Sequence, residues 1–233
     1  MVSVFMGEST PQKGGIGMDT REIETPTSQL IEEAIDAGDG ARAKKLLHLM
    51  VVDWERNKDY SINWIAQLLS FIGRRLGEPA VEDALRDLGE RFVRPRRSGP
   101  VDARKRMEGI ARGMKANGAD VAFSEDDEKY ELSFRCGSGG MLIDSGAYAE
   151  PRDYLTLRER GPVTFDRDEL PVYCAHCSVN NEIQPIEWDG APQTVEYPPH
   201  GPGERCVHHI YKDATSIPEE VFARVGKTKP PSS

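Results

Sequence analysis

Cys136, Cys174, Cys177 and Cys206 follow the spacing C-x37-C-x2-C-x28-C. A Cys-x-x-Cys pair lets one tight turn present two thiolates to a single ion at about 2.3 Å, and two cysteines from other segments complete a tetrahedron. That set uses every cysteine in the chain. Zinc is the first expectation for four thiolates, and an iron–sulfur cluster, which takes the same ligands, is the alternative. Four thiolates close the zinc sphere and make a structural staple, whereas an active centre needs an open position. Such a position arises if one cysteine is a nucleophile, or if His176, His208 or His209 replaces a thiolate. A thioredoxin-like reading of the Cys-x-x-Cys pair lacks the βαβ pattern it needs and leaves Cys136 and Cys206 unexplained.

Glycine and histidine accompany the cysteines. In Cys136-Gly137-Ser138-Gly139-Gly140, the residues Gly137, Gly139 and Gly140 either let backbone amides converge on an anion or cofactor beside the metal, or form a turn that positions Cys136. The stretch matches neither the phosphate-binding loop nor the dinucleotide signature. His208 and His209 follow Cys206 and on a strand point to opposite faces, so that one faces the metal or a pocket and the other faces solvent. Both are candidate catalytic acid–base residues. His176, inside the tight turn, is expected to be exposed.

The elements that must position these residues fall into two halves. Residues 1–26 lack periodicity and read as a disordered leader. Residues 27–118 read as helical: a first helix from Ser28, then amphipathic core helices over 41–57 and 62–76, a helix restarted by Glu78-Pro79, and another over 103–116. From 119 to 226 the apolar period moves towards 2, and Val121, Phe123, Tyr130, Leu132 and Phe134 alternate around an acidic turn, which predicts a hairpin. All four cysteines and four of the five histidines lie here. Residues 227–233 read as a disordered tail. The expected class is α+β: a helical N-terminal half followed by a small strand-and-loop half organised by the metal.

Two groups in the helical half also bear chemistry. His48, Asp53, Trp54, Glu55 and Trp64 are the polar and aromatic residues best placed to line a cavity between the halves. The run Arg91, Arg94, Arg96, Arg97, Arg104, Lys105 and Arg106 is either a solvated linker or a site for an anionic substrate or partner.

With 30 Lys plus Arg against 39 Asp plus Glu, the 233-residue chain has a formal charge of −9. That balance argues against a general nucleic-acid or anionic-membrane binder, both of which favour positive field. No run approaches the length of a transmembrane helix, and the apolar start lacks the basic flank of a signal peptide. A cytoplasmic protein with reduced cysteines is expected, and a homodimer is the base-rate assembly.

A helical half, a glycine-bearing cysteine segment, a Cys-x-x-Cys segment and a late cysteine followed by His208 and Tyr211 form an ordered layout. Over roughly residues 40–215, that layout resembles a group of bacterial cysteine-motif proteins that includes the L-2-amino-thiazoline-4-carboxylic acid hydrolase-like family. The resemblance implies a small-molecule hydrolase acting on a carbon–nitrogen or carbon–sulfur bond, with cysteines at or near the active site. The expected function is thus a four-cysteine metalloenzyme of hydrolase or lyase type acting on a small polar molecule. The alternatives are a non-catalytic zinc-stapled interaction or sensor protein, and an iron–sulfur protein with a redox or Lewis-acid role.

Overall fold

Between Gly40 and Leu76 the sequence contains no proline, and nothing at 58–61 breaks the helical hydrogen-bond ladder. The computed structural model, which describes residues 20–97 and 101–231, accordingly shows one 37-residue helix, α3 (Gly40–Leu76), where two were expected. Gly77, with φ of +92°, ends it, and α4 (Glu78–Leu88) starts at once with Pro79 in its first turn. Two short helices precede α3, namely α1 (Thr20–Glu24) and α2 (Thr27–Asp36). Of the expected leader over 1–26, residues 1–19 lie outside the described residues and Thr20–Glu24 is helical.

The described residues divide into two compact units, 1–56 and 57–233. In the first, Leu30, Ala34 and Leu46 are buried. The second contains the sheet and all four cysteines. Within it, α3 buries Ile62, Ala66 and Leu69, spaced i, i+4, i+7 along one stripe. Trp64, Ile65, Leu68 and Phe71 are exposed, as are Leu47, Met50, Val51 and Trp54 in the first unit. Helix α3 carries more apolar positions than one stripe holds, and its sequence does not say which stripe is covered.

After α4 the chain widens into a π-turn (Gly89–Val93) and a 3-10 turn (Arg94–Arg96). Helix α5 (Ala103–Ala116) follows, with Asp102 as N-cap accepting from the Lys105 amide at 2.9 Å, a contact that contributes about 1 kcal/mol. The period then changes as expected. Strands β1 (Asp120–Glu125) and β2 (Lys129–Arg135) form an antiparallel hairpin from Asp120↔Arg135 to Glu125↔Tyr130. Asp126 closes the turn by accepting from the Glu128 and Lys129 amides, each at 2.8 Å.

Helix α6 (Gly139–Asp144), the short pair β3 (Thr156–Leu157) and β4 (Leu170–Pro171), and α7 (Gln184–Asp189) follow. Strands β5 (Val195–Tyr197) and β6 (Cys206–Tyr211) complete a four-stranded antiparallel sheet of order β1-β2-β6-β5, and α8 (Glu219–Ala223) ends the regular structure. Helix α5 covers one face through Met107, Ile110, Ala111 and Met114, packed on Tyr130, Leu132, Phe134 and Ile210. On the other side, Val195 and Tyr211 join Ile217, Val221 and Phe222. Each fully buried side chain of this size contributes roughly 1.5–3 kcal/mol.

The fold is thus mixed, mostly helical, with a small antiparallel sheet. In the expected tail, residues 227–231 have no helix or strand, yet Lys227 pairs with Glu187 and Lys229 donates to the Thr215 carbonyl at 2.7 Å. Among the described residues no helix is long and apolar enough to cross a membrane.

Candidate functional site

The sheet and its connections bring the four thiols to one region. Cys136 leaves the end of β2, and Cys206 starts β6 opposite Phe134, so pairing of β2 with β6 draws these two cysteines together. Cys174 ends a 3-10 turn (Val172–Cys174), and Cys177 opens a π-turn (Cys177–Ile183). All four are reduced. Burial pushes the Cys174, Cys177 and Cys206 thiols up, and neighbouring thiols add to it: Cys136 acts on Cys174 and Cys206, while Cys174 and Cys206 act on Cys177. Like charges in one low-dielectric region disfavour one another, so these thiols are neutral at pH 7. Among the described residues no group of three or more His, Cys, Asp or Glu side chains is disposed to hold a metal ion. Cys136 Sγ lies 3.1 Å from Ser138 Oγ, and Cys177 Sγ lies 3.5 Å from His176 Nε2, while the nearby Glu196 carboxyl pushes the Cys177 thiol further up.

The glycines after Cys136 pack against this region and the segments that carry it. A Cβ on Gly139 would stand 3.0 Å from Cys174 Sγ, one on Gly140 3.0 Å from Cys136 Cβ, and one on Gly137 1.8 Å from the Asn117 carbonyl oxygen. Their space is filled by protein. Gly137→Ala is expected to destabilise the protein by about 1–3 kcal/mol, because the clash is with backbone that has no rotamer to yield. Urea denaturation measures this, and an unchanged midpoint would contradict it.

Beside the thiols lies a cleft of about 1160 Å³. Its walls come from the π- and 3-10 turns after α4, from α5, and from the segment joining α7 to β5; Asn181, Glu196 and His208 also line it. The sheet register sets Glu196 directly opposite His208. Glu196 Oε1 accepts from Asn181 Nδ2 at 2.8 Å and stands 3.6 Å from His208 Nε2, just beyond hydrogen-bond length. The His208 ring meets Phe134 edge-on, with centroids 4.7 Å apart. Burial pushes the Glu196 carboxyl up to about 8 and the His208 imidazole down to about 3, so both are uncharged at neutral pH. Glu196 Oε2 and His208 Nδ1 are buried with no hydrogen-bond partner.

Behind Glu196 stands a second buried acid. Glu182 Oε1 accepts from the Glu196 amide and from Arg224 Nη2, both at 2.6 Å, and Arg224 also donates to the Glu196 carbonyl at 2.9 Å. This network fixes the β5 backbone and so the Glu196 side chain. Burial raises Glu182 to about 7 even though Arg224 opposes the shift.

His208 and His209 occupy opposite faces of β6, as strand periodicity requires. His208 lines the cleft. His209 instead pairs with Glu131 at 3.0 Å and packs near Tyr197, away from the cleft. His176 is half-buried, not exposed, with Nδ1 against the Tyr173 carbonyl. The cleft is lined entirely by residues of the 57–233 unit, and none of His48, Asp53, Trp54, Glu55 or Trp64 contributes to it. Sequence reasoning missed Glu196, Asn181 and Glu182. A lone acid between Val195 and Tyr197 was the one local signal for Glu196.

The chain matches no known family. No family model fits it, and no curated protein and no solved structure is significantly similar to it.

Proposed function

We propose that the protein is an enzyme of hydrolase or lyase type acting on a small polar molecule in the cleft, its fold held by one zinc ion on Cys136, Cys174, Cys177 and Cys206. The observation that carries this reading is the cleft wall, where Glu196 stands opposite His208 and its carboxyl is near enough to the Cys177 thiol for each to shift the other's proton affinity. The thiol region and the cleft therefore share a boundary made of proton-transfer groups.

Several features support the metal. Cysteines from segments up to 70 residues apart in sequence lie near enough for Cys136 to act on Cys174 and Cys206, and for Cys174 and Cys206 to act on Cys177. Neutral thiols crowded in this way gain little from each other, whereas a divalent cation reverses the sign of every neighbour's effect and binds the thiolates with release of protons. Zinc held there would fix β2, β6 and the 174–177 turns, and so the cleft floor. In the cleft, the carboxyl of Glu196 and the imidazole of His208 exchange protons with substrate, Asn181 orients Glu196, and the Glu182–Arg224 pair holds the strand.

Anaerobically purified protein is expected to be colourless with one zinc per chain. Brown protein with iron and sulfide selects a cluster on the same thiols, and protein without either metal removes the metal reading. Glu196→Gln and His208→Gln are expected to keep the zinc and to abolish turnover of small amides or thioesters that the wild type cleaves. Full turnover in both variants would contradict their role.

A further inference from the structure

Five members of the basic run found in the sequence stand in the cleft wall: Arg94, Arg96, Arg97, Lys105 and Arg106. Only two acidic residues share that wall, Asp189 and Glu196. Three of the cations have acidic partners: Arg94 with Glu90 at 2.9 Å, Arg97 with Asp189, and Lys105 with Asp102 at 3.7 Å. Arg96 lies over the Phe92 ring and donates to the Phe92 carbonyl at 2.8 Å. Arg106 donates from Nη2 to the Tyr211 carbonyl at 2.9 Å, and its Nε–H is buried without an acceptor. Neither Arg96 nor Arg106 forms an ion pair among the described residues.

An unsatisfied guanidinium donor in a partly buried wall is costly, and native structures rarely keep one. Arg97 adds to the cost, since its positive charge acts against that of Arg106. An anion in the cleft would offset the like charges of Arg97 and Arg106. With Arg94, Arg97 and Lys105 paired and Glu196 uncharged, Arg96 and Arg106 leave the wall two negative charges short. A phosphomonoester carries about −1.5 to −2 at pH 7 and offers three acceptor oxygens, and guanidinium forks match that geometry. Ile110, Met114 and Trp188 supply an apolar wall for an organic group.

We propose that the cleft binds a small organic phosphomonoester, with its phosphoryl oxygens against Arg106 and the neighbouring Arg97 and its organic part against Ile110, Met114 and Trp188. This gives the substrate class of the enzyme proposed above and rests on that reading of the cleft. It needs no metal for binding.

Ligand-observed NMR on the full chain, with phenyl phosphate as probe, tests it. Phenyl phosphate is expected to bind, about tenfold or more tightly than its monoanionic methyl diester, and added salt is expected to weaken it. Arg106→Gln is expected to weaken binding by roughly tenfold or more, and Arg106→Lys by less, because charge remains while the fork is lost. Should Arg106→Gln fail to fold by circular dichroism, Arg97→Gln is expected to weaken binding in the same direction. Absence of phenyl phosphate binding, equal binding of the diester, or unchanged affinity in folded Arg106→Gln and Arg97→Gln would overturn the proposal. Metal content measured on the same sample separates the two readings, since phosphate binding by metal-free protein supports the phosphate site and counts against the metal centre alone.

Discussion

Cys177→Ser is expected to release the metal and to lower the stability of the 57–233 unit by on the order of 5 kcal/mol, less than half of what structural zinc supplies in zinc-finger peptides. The share is smaller than in a zinc finger because this unit has its own core around Leu157, Leu170, Val179, Ile183 and Phe222. Cys177 is the most informative of the four cysteines because it opens the π-turn that leads to Asn180, Glu182 and Gln184. Asn180 donates to the Leu85 carbonyl at 2.8 Å and Gln184 to the Arg86 carbonyl at 3.0 Å, so this turn anchors the end of α4. Loss of the ligand therefore loosens both sides of the cleft. Metal content and urea midpoint measure the effect together, and chelator should bring the wild type to the variant's midpoint. A variant that keeps its metal would contradict the ligand assignment.

Arg224→Ala is expected to cost about 3–5 kcal/mol at pH 8, the range found when one partner of a buried pair is removed. The guanidinium satisfies Glu182, which is fully buried, and the Glu196 carbonyl, and it lies over the Phe165 and Tyr197 rings at 5.0 and 4.7 Å. The cost depends on pH in a definite direction. Glu182 titrates near 7 in the folded protein and in the ordinary carboxylate range when unfolded. Its contribution to stability is therefore complete at low pH and is lost as pH rises through about 7. Removing Arg224 raises the folded value further and extends that loss to higher pH. Denaturation at pH 5 and pH 8 should show the smaller gap between wild type and variant at pH 5. Equal gaps would mean that Glu182 does not depend on Arg224 for its charge.

What could be read from the sequence was local. The β1–β2 hairpin was legible because alternation on both sides of an Asp-bearing turn involves only neighbours. Helix α5 was legible from Met107, Ile110, Ala111 and Met114, and the same spacing places Arg106 on the face of Ile110 that lines the cleft. The opposite faces of His208 and His209 also followed from strand geometry. The Glu196–His208 pair was not legible, since it depends on β5 pairing with β6 at one register within a sheet whose order is β1-β2-β6-β5. Nor were the π-turns at 89–93 and 177–183, which carry no residue signature of their own yet contribute Phe92, Val93 and Asn181 to the cleft. The extent of α3 was missed for a different reason: the polar stretch at 58–61 reads as a gap in apolar periodicity but contains no helix breaker.

X-ray absorption at the zinc edge on anaerobically purified protein tests the central claim most directly. The account predicts one zinc per chain with four sulfur neighbours at about 2.3 Å, and no bound zinc in Cys177→Ser. A first shell dominated by nitrogen or oxygen, or a chain that binds no metal, would contradict it.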